Sequence, residues 1–197
     1  MEKIFQMIDN YIYLYHTDTF IVIPAFPEQF TDSMTVNFST ETPLSRSAPI
    51  FSYVNSGPRQ IDVTLKLHRE LMYQINWGVS NAKVALHDDY VDELIKQIQA
   101  AVLPTYSASN KMVDPPLVAI RFGNDIFCKG VISGSVTTTY DLPVLQNGKY
   151  AQVGINFTMN EVDPYDANKV AIMGSYRGLD ETLERRLWKS SAKQKRG

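Results

Sequence analysis

The chain has little cysteine and little histidine. Cys128 is the single cysteine in 197 residues. That excludes an intramolecular disulfide and any zinc site built from several thiolates. Cys128 lies in the run IFCKGVI, where a thiol packs as a small hydrophobe rather than serving as a nucleophile. His16, His68 and His87 share no ligand spacing such as HxH or HExxH, so no metal and no cofactor is expected. Long hydrophobic runs are missing too, and the start, MEKIFQMIDNYIYLYHTDTF, lacks a signal-peptide core. A membrane partner is therefore not expected, and the protein is expected to be made and kept on the cytoplasmic side. With 19 basic and 21 acidic residues the net charge is -2. Such a balance offers no strong field to nucleic acid or to an anionic surface. There are no repeats and no glycine-rich phosphate cradle. The SGS at 133–135 sits in a strand pattern with no helix after it, and Gly130 and Gly134 are expected to mark bulges.

What is present is period-two alternation. In residues 61–68, Ile61, Val63, Leu65 and Leu67 point one way, and Asp62, Thr64, Lys66 and His68 the other. Phe30, Met34, Val36 and Phe38 share one face of an earlier strand, and Val153, Ile155, Phe157 and Met159 one face of a later one. These patterns predict antiparallel strands with one covered face. LVAIRF, IFCKGVISGSVTTTY and YAQVGINFTMNEV form a three-strand run, the last two joined at an Asn-Gly turn. The stretch ETPLSRSAPIFSYVNSGPR, dotted with Pro, Ser and Gly, reads as a long loop with a short edge piece at 50–53. One helix is clear. Asp88 and Asp89 can cap it, Val91, Leu94, Ile95, Ile98 and Val102 form its apolar stripe, and Pro104 ends it. The order predicts an α+β fold, mainly antiparallel β: a β-sandwich or barrel with one flanking helix.

Both ends differ from this middle. Residues 4–15 are bulky and ambiguous between helix and strand, TFIVIPAFP at 19–27 reads as an extended strand stopped by proline, and residues 1–25 together read as an N-terminal arm. Residues 168–197 place Leu179, Leu183 and Leu187 at spacings of four beside Trp188, and from Arg185 onward carry only positive charge. They read as a short amphipathic helix with a basic tail, better suited to a neighbouring protein than to nucleic acid, which is not expected as a partner. Residues 26–167 form the domain between the arms.

Candidate chemistry is thin. His68, Arg69 and Glu70 end a strand, and HDDY at 87–90 is explained by helix capping. Glu161, Asp163 and Asp166 lack the alternating oxygens and central glycine of a calcium loop. A small peptidoglycan-cleaving hydrolase with Glu70 or Asp88 as acid stays as an alternative, but no second carboxylate pairs with either. So does a carbohydrate- or peptide-binding module using exposed tyrosines. No enzymatic role and no small-molecule substrate are expected.

The succession FPEQFTDSMTVNFST, APIFSYVNSGPRQIDVTLKLHREL, a helix, and then PPLVAIRFGNDIFCKGVISGSVTTTYDLPVLQNGKYAQVGINFTMNEVDPYDA resembles phage baseplate proteins of contractile-tailed viruses, of the tail-tube-like type. Arg59 before the strand ending LHRE, and Pro164 and Tyr165 at the close, carry the resemblance over residues 26–167. It implies a structural virion protein of the tail baseplate, assembled in the host cytoplasm. Such a protein packs as a ring of copies where tail tube, hub and wedge are joined. Many relatives carry a LysM module after the sandwich, and here the short helical tail stands in its place. A tube initiator, a hub connector and a sheath-side adaptor all fit. The expected interface residues are Arg59, His68, Leu179, Leu183, Leu187 and Trp188.

Overall fold

The computed structural model describes residues 10–23, 26–72, 90–106, 113–114, 116–163, 166–172, 179 and 182–183. In chain order the strands are β1 (Asn10–Leu14), β2 (Thr19–Val22), β3 (Gln29–Glu41), β4 (Ile50–His68), β5 (Thr105–Tyr106), β6 (Val113–Asp114), β7 (Leu117–Phe122), β8 (Ile126–Val144) and β9 (Tyr150–Glu161). The helices are α1 (Arg69–Met72), α2 (Tyr90–Ala100) and α3 (Ala167–Ala171). Seven strands form one antiparallel sheet in the order β2-β1-β7-β8-β9-β4-β3, and β5 pairs with β6 apart from it. The α+β class, mainly antiparallel, is as the alternation predicts. Between sandwich and barrel the outcome is neither: the ladder is an open sheet, with β2 and β3 as its edges.

The inward faces are those the alternation marks. Ile61, Val63, Leu65 and Leu67 of β4 and Val153, Ile155, Phe157 and Met159 of β9 are all buried, in one cluster with Tyr90, Val91, Leu94, Ile95 and Ile98 of α2. Burying a side chain such as Leu94 or Ile98 contributes about 1.5–3 kcal/mol, enough for a helix of this length to be held by its stripe. Tyr90 also donates its hydroxyl to the carbonyl of Val22, and burial raises the pKa of its phenol. The capping candidates Asp88 and Asp89, with His87, lie outside the described residues.

Two expectations need correction. Residues 10–22, assigned to an arm, belong to the sheet. β1 pairs with β7 from Asn10↔Phe122 to Leu14↔Val118, and β2 folds back on β1 through a turn with Asp18 at φ 50. Both faces of β1 are covered. Ile12 and Leu14 join the helix-side cluster, while Tyr11 and Tyr13 join Phe20, Val22 and Ala119 on the other side. A strand buried on both faces has no polar alternation to announce it.

The long loop is likewise mostly strand. β4 runs unbroken from Ile50 to His68, leaving 42–49 as the connection to β3. Gly57 and Pro58 sit inside it at a register shift, where Met34 pairs with Arg59 but Val36 with Ser56. A bulge is where a strand tolerates proline, since a ladder hydrogen bond is already missing there. Gly134, at φ 75 beside the shift between Ser133 and Thr137, marks a bulge as the sequence suggested. Gly130 does not. It pairs with Glu161, and its smallness serves a close approach of two backbones.

Candidate interaction surface

Two hairpins leave the covered part of the sheet, and they leave it at opposite ends. β4 pairs with β9 from Gln60↔Asn160 to His68↔Gln152. The β3–β4 tip therefore extends past Asn160, and the β8–β9 turn lies near His68. In the first hairpin, among the described residues, 36–41 and 50–56 pair only with each other. In the second, the half of β8 after Val131 pairs with β9 but has no β7 beside it.

The first hairpin is amphipathic, with its apolar side in water. Met34, Val36, Phe38, Phe51 and Tyr53 are all more than half exposed. Phe38 faces Tyr53 across the ladder, the rings edge to face at 5.8 Å, and Phe51 faces Thr40. Polar groups close on themselves elsewhere: Asn37 donates to Asn55 Oδ1 at 2.8 Å, and the hydroxyls of Tyr53 and Ser56 lie 2.7 Å apart. Residues 33–58 carry two charges, Glu41 and Arg46; in the second hairpin residues 130–140 carry none, and Asp141 and Lys149 follow toward its tip. The second hairpin exposes Tyr140, Leu142, Val144 and Tyr150, with the two tyrosine rings 5.8 Å apart. Surfaces facing only water keep a much larger share of charged side chains, whereas interface cores are depleted in them.

Each hairpin is rooted in an arginine. The Arg59 guanidinium is buried and takes Asp32 of β3 in a two-pronged bond, Nε to Oδ1 at 2.8 Å and Nη2 to Oδ2 at 2.6 Å. Its Nη1 donates to Glu161 Oε2 at 3.4 Å and to the Phe127 carbonyl at 3.3 Å. Arg69, also buried, donates from Nε to the Tyr150 carbonyl at 2.8 Å and from Nη2 to Asp92 Oδ1 at 2.7 Å. Lys149 reaches Asp92 Oδ2 at 2.6 Å. Burial alone would raise the Asp92 carboxyl, but the hydrogen bonds from Arg69 and Lys149 and their charges outweigh it and hold the pKa below its ordinary 3.8. A carboxyl depressed on folding stabilises fully above its unfolded value and loses that contribution as pH falls through the folded one. The melting-temperature gap between wild type and Asp92→Asn is therefore expected to be constant near neutrality and to close only in acid below about pH 4. A gap that persists at the lowest pH would assign it to packing rather than charge.

The residues expected at an interface do not form one cluster. Arg59 points inward and is engaged in the ion pairs above. His68 is half-buried at the other end of the covered part of β4, opposite Gln152. Leu179 is 8% exposed and packs with Tyr11, Tyr13, Phe20 and Val22, with Leu183 against the same cluster, so these two anchors bind the chain's own sheet. Leu187 and Trp188 lie outside the described residues. The exposed faces of the hairpins were missed as interaction candidates, although the scarcity of charge over 33–58 was a readable signal.

Cys128 is fully buried, and its thiol is pushed up to about 12 by burial, with the Glu161 charge adding to the effect. It is protonated at neutral pH and packs as a hydrophobe. Glu70 is exposed at the start of α1. Among the described residues no three His, Cys, Asp or Glu are grouped to hold a metal ion, and no helix is long and apolar enough to cross a membrane.

No protein-family model matches the chain, and no curated protein does. Among solved structures it is similar to a chain of the virion of native gene transfer agent (GTA) particle, at 14% sequence identity and a TM-score of 0.38, over 79% of this chain and 94% of that one.

Proposed function

We propose that this chain is a structural subunit of a phage tail baseplate, one of a ring of copies that joins tube, hub and wedge components. The observation that carries this is the pair of hairpins with exposed apolar faces at opposite ends of one sheet, the first of them poor in charge. Apolar surface of this extent, continuous along a ribbon, marks a protein contact. Charge depletion favours a polypeptide over nucleic acid or lipid headgroups. Two different patches at two ends suit a head-to-tail contact, which closes into rings or continues as stacks, better than a two-fold dimer. In this role the open strand edges await neighbouring chains. His68 lies beside the second hairpin, Leu179 and Leu183 pack on the chain's own sheet, and Leu187 and Trp188 are proposed to reach a neighbour.

The test is a double variant, Phe38→Ser with Phe51→Ser. Both side chains are exposed, so stability is expected to stay within about 0.5 kcal/mol of wild type per site. Wild type is expected to sediment as an oligomer, or to co-purify with co-expressed tube, hub and wedge proteins, and the variant to remain monomeric and alone. Identical behaviour of the two folded proteins would falsify the docking role of this face.

A further inference from the structure

We infer that Arg59 and Arg69 are positioning clamps, each holding one projecting hairpin in its docking direction before any partner arrives; the docking part of this rests on the assembly role proposed above. A two-stranded ribbon without a third strand is marginal in water. Among the described residues the β3–β4 hairpin past residues 36 and 56 has no third strand. Its apolar side is exposed, so packing does not hold it either. The ladder also breaks step between Asn37 and Phe38 and, at the hairpin's root, at the Met34/Val36 shift next to Gly57.

Arg59 sits at that shift. One planar, charged group there bonds Asp32 of β3, the Phe127 carbonyl of β8 and Glu161 of β9, and so fixes the root of the ribbon to the central strands. Lysine could not do this, having no rigid fork. At the far end of the covered part of β4, Arg69 repeats the device. It holds the Tyr150 carbonyl at the β8–β9 turn and, through Asp92, ties that turn to α2, while Lys149 grips the same carboxylate from the turn itself. A docking element ordered in advance loses less conformational freedom on binding, so a clamp that does not itself touch the partner still raises affinity.

The two clamps lie at opposite ends of the sheet and share no residue, so each serves as the other's control. Hydrogen–deuterium exchange on the full chain reads them. Asp32→Asn is expected to speed exchange about tenfold or more in residues 36–41 and 50–56 and to leave 145–151 unchanged. Asp92→Asn is expected to do the reverse. Arg59→Lys, which keeps the charge and loses the fork, is the second variant for the first clamp should Asp32→Asn not fold. Equal exchange in wild type and variants overturns the inference, and so does loosening of both hairpins by either substitution, which would mean general destabilisation. Self-association measured on the same proteins separates the two layers: a loosened hairpin with weaker association supports both, whereas a loosened hairpin with unchanged association keeps the clamp and removes the docking role of that hairpin.

Discussion

Gly130→Ala is expected to lower stability by about 3 kcal/mol or more, the upper range for forcing an atom into a packed interior. A Cβ at this position would stand 1.9 Å from the Asn160 carbonyl oxygen, 2.8 Å from its carbon and 2.9 Å from Glu161 Cα. All three are backbone atoms of β9, which lies between β8 and β4, so no flexible side chain can give way. Relief requires β8 and β9 to part where Gly130 pairs with Glu161, beside the Arg59 cluster. Gly148→Ala is the contrast. Its φ of 77 disfavours any other residue, but no atom lies within 4 Å of its Cβ position, so only the left-handed backbone cost of about 1–2 kcal/mol is expected. Thermal melts should show Gly130→Ala down by roughly 6–12 °C or unfolded at room temperature, with the smaller shift for Gly148→Ala. Two equal, small shifts would mean that the strands at Gly130 are not closely apposed.

Arg59→Met carries the second large effect, about 3–5 kcal/mol of lost stability, because it takes a charge-compensating guanidinium away from a buried carboxylate. The Glu161 side chain is 4% exposed and faces Arg59, whereas Asp32 at 39% retains access to water. Most of the cost therefore comes from Glu161. Adding Glu161→Gln removes the buried negative charge that faced Arg59 and is expected to recover a large part of the loss, since deleting both members of a buried ion pair costs far less than deleting one. Urea unfolding of wild type, both single variants and the double variant measures the coupling directly. Strict additivity of the two single losses would show that the carboxylate does not depend on Arg59.

Much of the core was legible in local sequence. Strict alternation in 61–68 and 153–159 announced faces that are in fact buried, the stripe from Val91 to Ile98 announced the helix over them, and Asn147-Gly148 announced the turn between β8 and β9. These signals are readable because one side of each element is wet and the other dry, which leaves a period in the chain. β1 and β7 gave no such period, since apolar side chains cover both of their faces. β4 was cut in two by Gly57-Pro58, a pair that reads as a turn unless the opposite strand supplies a bulge to accommodate it.

The candidate site was less legible than the core. Met34, Val36 and Phe38 alternate just as Ile61, Val63 and Leu65 do, but the first set is exposed and the second fully buried. Period alone says that a face wants cover, and has no means to say whether the same chain supplies it. By itself, the sequence determined the strands of the core, the helix laid on them, the antiparallel class and a surface poor in charge. Tertiary structure decided which apolar faces α2 reaches, and which it leaves bare at the two ends of the sheet. It also decided that Arg59 meets Asp32 and Glu161, and Arg69 meets Asp92 and the Tyr150 carbonyl. Those partners lie far apart in the chain, and only the register of the folded sheet and the docking of α2 bring them within hydrogen-bond distance.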